Sequence, residues 1–273
     1  MIARIGRALR SKVTLLLGVL VILYMYIPNM IVALMSFNDA SSNRNLYKFQ
    51  AFTWDNWTNM CAPDGMCESV VTSVKIAFLT TIVATAIGTA AAFGLVRHRF
   101  TGRTTMNLIL FLPMATPEIV MGSSLLALFV AAGQGGNLGF VTILIAHIMF
   151  CISFVVVTVK SRLAGLDSNL EQAAMDLYAT EAQTFRKVTL PLVFPGILAA
   201  ALLSFSLSFD DFIITNLNAG QTVTFPMYVW GAAQRALPME VNVVGTLMFI
   251  IALALVIIGE VGSRKRRKML AAR

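Results

Sequence analysis

The chain has 273 residues, of which 58% are hydrophobic and 12% charged, with a formal net charge of +8. That is more apolar surface than a soluble core of this length can hide, so the composition excludes an ordinary soluble domain and reads as a membrane protein. Each span of the roughly 30 Å hydrocarbon slab needs about 20 apolar residues, and no open sheet edge survives in lipid. The expected fold class is therefore all-α: a polytopic membrane protein with six transmembrane helices. The apolar runs extend roughly from Val13 to Phe37, Val70 to Val96, Thr105 to Ala132, Leu138 to Val159, Leu190 to Thr215 and Val241 to Gly262.

The charge is one-sided. Arg4, Arg7, Arg10 and Lys12 precede the first run, and Arg97, Arg99 and Arg103 follow the second. Lys160, Arg162, Arg186 and Lys187 follow the fourth, and Arg264, Lys265, Arg266, Arg267, Lys268 and Arg273 end the chain. With six spans, these 17 of the 21 Lys and Arg share one side, which predicts both termini in the cytoplasm. Nucleic-acid binding is a poor explanation of that pattern; the basic tail, 263–273, reads as a topology signal in contact with anionic membrane lipid. No Gly-Lys dipeptide occurs, which excludes a Walker A phosphate loop.

The first segment, 1–37, has the basic start of a signal peptide, but its apolar run is too long and contains Pro28, so an uncleaved helix is expected. In the outer loop, 38–69, "FTWDNWTNM" puts Trp54 and Trp57 on one helical face, the pattern of an interfacial anchor. The same loop holds "CAPDGMC", where Cys61 and Cys67 are either a local disulfide closing the Pro-Asp-Gly turn or two free thiols. A metal site there would lack further ligands.

A five-helix core, 70–262, follows. Its third span contains Pro113 and Pro117, each of which removes a backbone donor and loosens the helix one turn before it. The turn "GQGGNLG" does not fit G-x-G-x-x-G and follows no strand, so it is a connector. His147 in the fourth span reads as a hydrogen-bonded core residue.

Between the fourth and fifth spans lies a polar segment, 168–191. "SNLE", Ser168 to Glu171, matches a capping box in which the hydroxyl and the carboxylate each satisfy the other's backbone donor. Leu170, Ala173, Ala174 and Leu177 then recur at helical spacing. "TEAQ", Thr180 to Gln183, is a second box, and the helix after it is expected to stop at Pro191. The segment is thus helix, break, helix, either packed on membrane or bundle or presented as a docking surface.

Three acids, Glu118, Asp210 and Asp211, lie in or at the edge of spans, where an uncompensated carboxylate costs on the order of 3 kcal/mol. Ser204, Ser208, Asp211 and Thr215 share one helical stripe, which predicts that Asp211 faces a solute path and that Asp210 is interhelical or near the outer surface. Glu118 follows Pro117, beside carbonyls the proline frees. Carboxylates and carbonyls suit protonated amines, and Phe209, Phe212, Tyr228 and Trp230 are available for cation–π contacts.

The polar segment resembles the coupling motif of bacterial ABC-importer permeases: E-A-A, three residues, G, nine residues, I-x-L-P. On this chain the motif falls on Gln172, Ala173, Ala174, Tyr178, Val188, Leu190 and Pro191, with Gln172 at the glutamate position and Tyr178 at the glycine position. Glu171, one residue out of register, is read as a cap. "TPEIVMGSSLLALF", "HIMFCISFVVVTVKSRLAGLD" and "LSFSLSFDDFIIT" are similar to the spermidine/putrescine permeases within that family.

The resemblance implies a transmembrane subunit, type I and binding-protein-dependent, working by alternating access in a bacterial inner membrane. It implies contact with the ATPase through Gln172, Ala173, Ala174, Asp176, Tyr178, Ala179, Leu190 and Pro191, and a solute path past Asp211, Glu118, Asp210, Ser208, Ser204 and Thr215. The implied partners are two cytosolic ABC ATPase subunits, a second similar permease and an extracytoplasmic substrate-binding protein. No cofactor, resident metal or catalytic residue is expected. The competing readings are a permease for another solute, an intramembrane Mg-dependent lipid or prenyl transferase using Asp210 and Asp211, and an ion channel. "DDFII" lacks a following acid at helical spacing for a metal, and a channel needs no segment like 168–191.

Overall fold

Apolar runs this long leave the backbone no hydrogen-bond partner in lipid but itself, and helices result. The computed structural model describes the backbone of residues 2–39, 48–167, 169–235 and 237–271, and the side chains of 13–39, 48–167, 169–235, 237–255, 257 and 259. In chain order the helices are α1 (Ile2–Met35), α2 (Asp55–Thr58), α3 (Met66–Arg97), α4 (Arg103–Ala115), α5 (Glu118–Ala131) and α6 (Phe140–Ala164). Then come α7 (Asn169–Asp176), α8 (Glu181–Thr184), a π-helical turn (Phe185–Thr189), α9 (Leu190–Phe209), α10 (Ile213–Asn218), α11 (Phe225–Ala233) and α12 (Glu240–Ala271). The one extended pairing among the described residues is an isolated antiparallel bridge between Asn38 and Phe52.

Among the described residues four helices are long and apolar enough to cross a membrane: Val13–Met35, Met66–Arg97, Phe140–Ala164 and Glu181–Phe209. The pair α4 and α5 makes a fifth if counted as one span, and Glu240–Leu255 is a shorter apolar helix. The third expected span is not one straight helix, because α4 and α5 meet at 106°. Thr116, before Pro117, is extended, as the proline ring requires of its predecessor, and Pro117 itself has ψ 133, so the helix restarts in a new direction at Glu118. The expected stop at Pro191 is also absent. Leu190 N–H bonds to the Phe185 carbonyl five residues back, and this wider turn lets the helix pass the proline and run on as α9.

The chain divides into two compact units, residues 1–67 with 229–273, and residues 68–228. In the first unit α1 lies along α12, with Tyr26 edge-on to Phe249 and Gly245 meeting Val32. Its loop is organised by Asn38, whose side chain accepts from the Gln50 amide at 2.7 Å, and by Phe37, which Phe52, Trp54 and Trp57 surround. Trp57 also donates to Ser36 Oγ, so it packs within the loop, and Cys61 is bonded to Cys67.

The second unit is built around α6, whose Ala146, Cys151, Val155 and Val159 are fully buried. It packs lengthwise on α9 and touches α4, α5 and α10. Close approach of α3 to α6 uses Gly88, where an added Cβ would lie 2.6 Å from Val155 Cγ1.

Candidate functional site

Two sets of polar residues stand out in the second unit, at opposite ends of α9. The first surrounds α7 and α8. Asp167 opens α7 by accepting from the Asn169 amide at 2.9 Å; the expected cap Ser168 lies outside the described residues. The carboxylate of Glu171 does something other than the capping assigned to it. Both of its oxygens accept from the two terminal nitrogens of Arg97 at the end of α3, and Oε1 also accepts from Thr189 Oγ1. The Arg97 guanidinium, with help from Thr189, holds the Glu171 carboxyl below the usual carboxylate range against the opposing effect of burial.

α7 ends in a Schellman turn: the Ala179 amide bonds to the Ala174 carbonyl and the Tyr178 amide to that of Met175. The residue at the left-handed position of this turn is Tyr178, with φ 62, the one non-glycine residue at positive φ among those described. The glycine of the coupling motif therefore has a physical reason, which this chain overrides. After Ala179, Thr180 and Gln183 form the expected reciprocal capping box that starts α8.

The apolar stripe of α7 is turned away from its own chain. Leu170 is exposed, Leu177 is 82% exposed and Tyr178 97%, while Ala174 is half-buried. Gln172, Ala173, Asp176 and Pro191 are exposed, and Ala179 and Leu190 half-buried. Beneath the turn, Phe93 and Phe185 meet edge-on at 5.3 Å, and a cleft of about 250 Å³ opens between these rings, Arg97, Glu171, Glu181 and Thr184. Arg162, counted in the sequence only as a topological charge, donates from Nε to the Leu192 carbonyl and covers Gly196, fastening α6 to the start of α9.

The second set lies where α9 ends and α10 begins. Ser204 and Ser208 lie on α9, Asp211 in the break that interrupts the expected continuous helix, and Thr215 on α10; all four are buried. Ser208, Asp211 and Thr215 meet His147 of α6. Asp211 Oδ2 accepts from the Thr215 amide at 2.8 Å and its hydroxyl at 2.9 Å, and lies 3.3 Å from His147 Nε2. Ser208 Oγ is 2.7 Å from His147 Nδ1. The imidazole is satisfied if Nε2–H points at Asp211 and Thr215 while Ser208 donates to Nδ1; the buried Ser204 Oγ has no hydrogen-bond partner among the described residues. Asp210, expected to be interhelical or near the outer surface, is exposed.

The stripe faces α6 because α10 is drawn onto the bundle. Gly122 of α5 allows the approach of Ile214 and Leu217, Asn218 donates to the Gly122 carbonyl, and Thr142 donates to the Asn218 carbonyl. Glu118 is exposed and is the first residue of α5, where the helix dipole favours a negative charge. Phe209, a candidate for cation–π contact, stacks on Phe205 and lies against Phe225.

Residues 84–263 match the family described as "Binding-protein-dependent transport system inner membrane component". The chain is 37% identical over 243 residues to the spermidine/putrescine transport system permease protein PotC of Haemophilus influenzae, covering 89% of this chain and 93% of that protein. It is 34% identical over 247 residues to the putrescine transport system permease protein PotI of Escherichia coli, covering 86% and 84%. Among solved structures, a chain of a bacterial ABC transporter that imports the acidic polysaccharide alginate aligns with a TM-score of 0.59 at 17% identity, covering 94% of this chain and 96% of that one. At that identity the likeness is one of fold.

Proposed function

Since the chain belongs to the family of inner membrane components of binding-protein-dependent transport systems, we propose that it is the permease subunit of an ATP-driven importer of polyamines. The observation that carries the substrate class is that relatives similar over most of both chains are permeases named for spermidine and putrescine. The protein is a multi-pass component of a bacterial inner membrane. In this reading it crosses six times, through α1, α3, the bent α4–α5 pair, α6, α9 and α12, with both termini in the cytoplasm. The one-sided Lys and Arg support that topology.

The mechanism is alternating access. A binding protein delivers the cation from outside, this chain and a second, similar permease enclose it, and two cytosolic ATPase subunits supply the energy. The α7–α8 segment is the part that meets the ATPase: its Leu170, Leu177 and Tyr178 leave apolar surface that their own chain does not cover. On the solute path the attracting charges are the exposed Asp210 and Glu118. Asp211, Ser204, Ser208 and Thr215 act behind them, by fixing α9 and α10 to α6.

The test is uptake of labelled spermidine and putrescine by proteoliposomes containing the full transporter, paired with calorimetry of its binding protein against both polyamines. ATP-dependent accumulation of either, with heat on binding, is the expected result. Hydrolysis without uptake of either polyamine would transfer the chain to another solute. Failure of the purified permease to hold any ATPase would end the importer reading.

A further inference from the structure

We propose that Arg97 and Glu171 are positioning residues of the transport cycle, a strut that makes the end of α3 move as one piece with the α7–α8 segment. This rests on the reading of α7–α8 as the part that meets the ATPase. The covalent route from that segment into the bundle runs through the π-helical turn into α9. The strut is a second route, into a helix 74 residues earlier in the chain.

Three features support it. A planar guanidinium on both oxygens of one carboxylate fixes orientation as well as distance, which a single contact does not. Glu171 is also held by Thr189, the last residue before α9, so one carboxylate joins α3, α7 and the base of α9. One turn earlier on α3, Phe93 meets Phe185 edge-on, giving a second point of attachment that resists rotation about the first. The Arg97 side chain is 40% exposed, and an ion pair this open contributes little to folding stability. Its use is geometric: a push on the exposed face of α7 reaches α3 directly, without passing through α8 and the π-helical turn. Glu181 lines the same cleft and is the other acid within its walls, so a charge swap, rather than a single removal, is the informative change.

The experiment uses the full transporter in proteoliposomes and compares Arg97→Glu, Glu171→Arg and the double exchange, reading uptake per ATP hydrolysed. Each single variant is expected to hydrolyse ATP while its uptake per ATP falls about ten-fold, within the range for directly coupled residues. The exchange should return to within about two-fold to three-fold of the wild type. Singles that keep the wild-type ratio, or an exchange no better than the worse single, overturn the strut.

Where the reversed charges prevent assembly, Arg97→Cys with Glu171→Cys, bridged by a short bismaleimide, takes their place. Cys61 and Cys67 are bonded to each other and Cys151 is buried, so the new pair is the reactive one among the described residues. Undiminished uptake after bridging supports joint movement, and arrest of uptake overturns it. If the wild-type complex hydrolyses ATP but takes up neither polyamine, the substrate reading fails alone. Stimulation of hydrolysis by the binding protein then decides the strut: lost in the singles and regained in the exchange, or unchanged and the proposal falls.

Discussion

Replacing Tyr178 with glycine should stabilise the protein. A left-handed backbone costs an L-residue about 1–2 kcal/mol, because Cβ crowds the following carbonyl, and glycine escapes that cost. With the ring 97% exposed, its removal forfeits almost no buried area. Against the gain stands the larger freedom of glycine in the unfolded chain, on the order of 0.5–1 kcal/mol. The net expectation for Tyr178→Gly is therefore about 0.5–1 kcal/mol of added stability. Tyr178→Ala is the control, since it deletes the ring and keeps Cβ at the same φ of 62, so it gains nothing. Both are measured by denaturant titration of the purified permease followed by circular dichroism. Equal midpoints for the glycine and alanine variants would refute the strain. If the ring works against the ATPase, uptake by the assembled transporter should fall in both variants to a similar degree, even as only glycine raises stability.

At the other end of α9 the two aspartates should behave oppositely. Asp211→Ala strands the buried Thr215 amide and is expected to cost about 2 kcal/mol, with His147 Nε2 keeping Thr215 Oγ1, whereas Asp210→Ala should change stability by less than about 0.5 kcal/mol and lower polyamine uptake. The same denaturant titration ranks them, and the opposite order would refute the cap assigned to Asp211. Gly220→Ala should destabilise on the order of 3 kcal/mol: φ is +54 there, and a Cβ would lie 2.3 Å from the Leu138 carbonyl oxygen, which belongs to backbone and cannot swing aside. A variant with an unchanged titration midpoint would show that this turn adjusts.

What the sequence made legible was local. The Thr180–Gln183 box needs four consecutive residues and no neighbour, and it forms as read. The helical repeat groups Ser204, Ser208, Asp211 and Thr215, but it reveals neither the break between α9 and α10 nor what these side chains meet. The answer came from His147, 64 residues before Asp211 and in another helix, which no spacing rule connects to it. Arg97 shows the same limit. Within its own helix it is a topological charge, and only the fold brings it to Glu171. Tyr178 was visible as a departure from the family's glycine, but the reason glycine belongs there is a dihedral angle. Prolines 117 and 191 carry the same local chemistry and opposite outcomes, a 106° bend and a continuous helix, because a π-helical turn precedes only the second.

The burial of Asp211 follows from the shortness of α10. Six residues cannot hold a helix by backbone bonds alone, since nucleation consumes most of what propagation returns. The helix persists because side chains fasten it: Asp211 caps the Thr215 amide at its start, Thr142 and Asn218 tie its end, and Gly122 removes the side chain that would hold it off. A carboxylate is the acceptor suited to that cap, as it takes two bonds from Thr215 on one oxygen and still faces an imidazole. Its desolvation is offset by these partners inside the unit. Asp210, one residue earlier and exposed, does not cap α10, so the two adjacent acids stand in different surroundings.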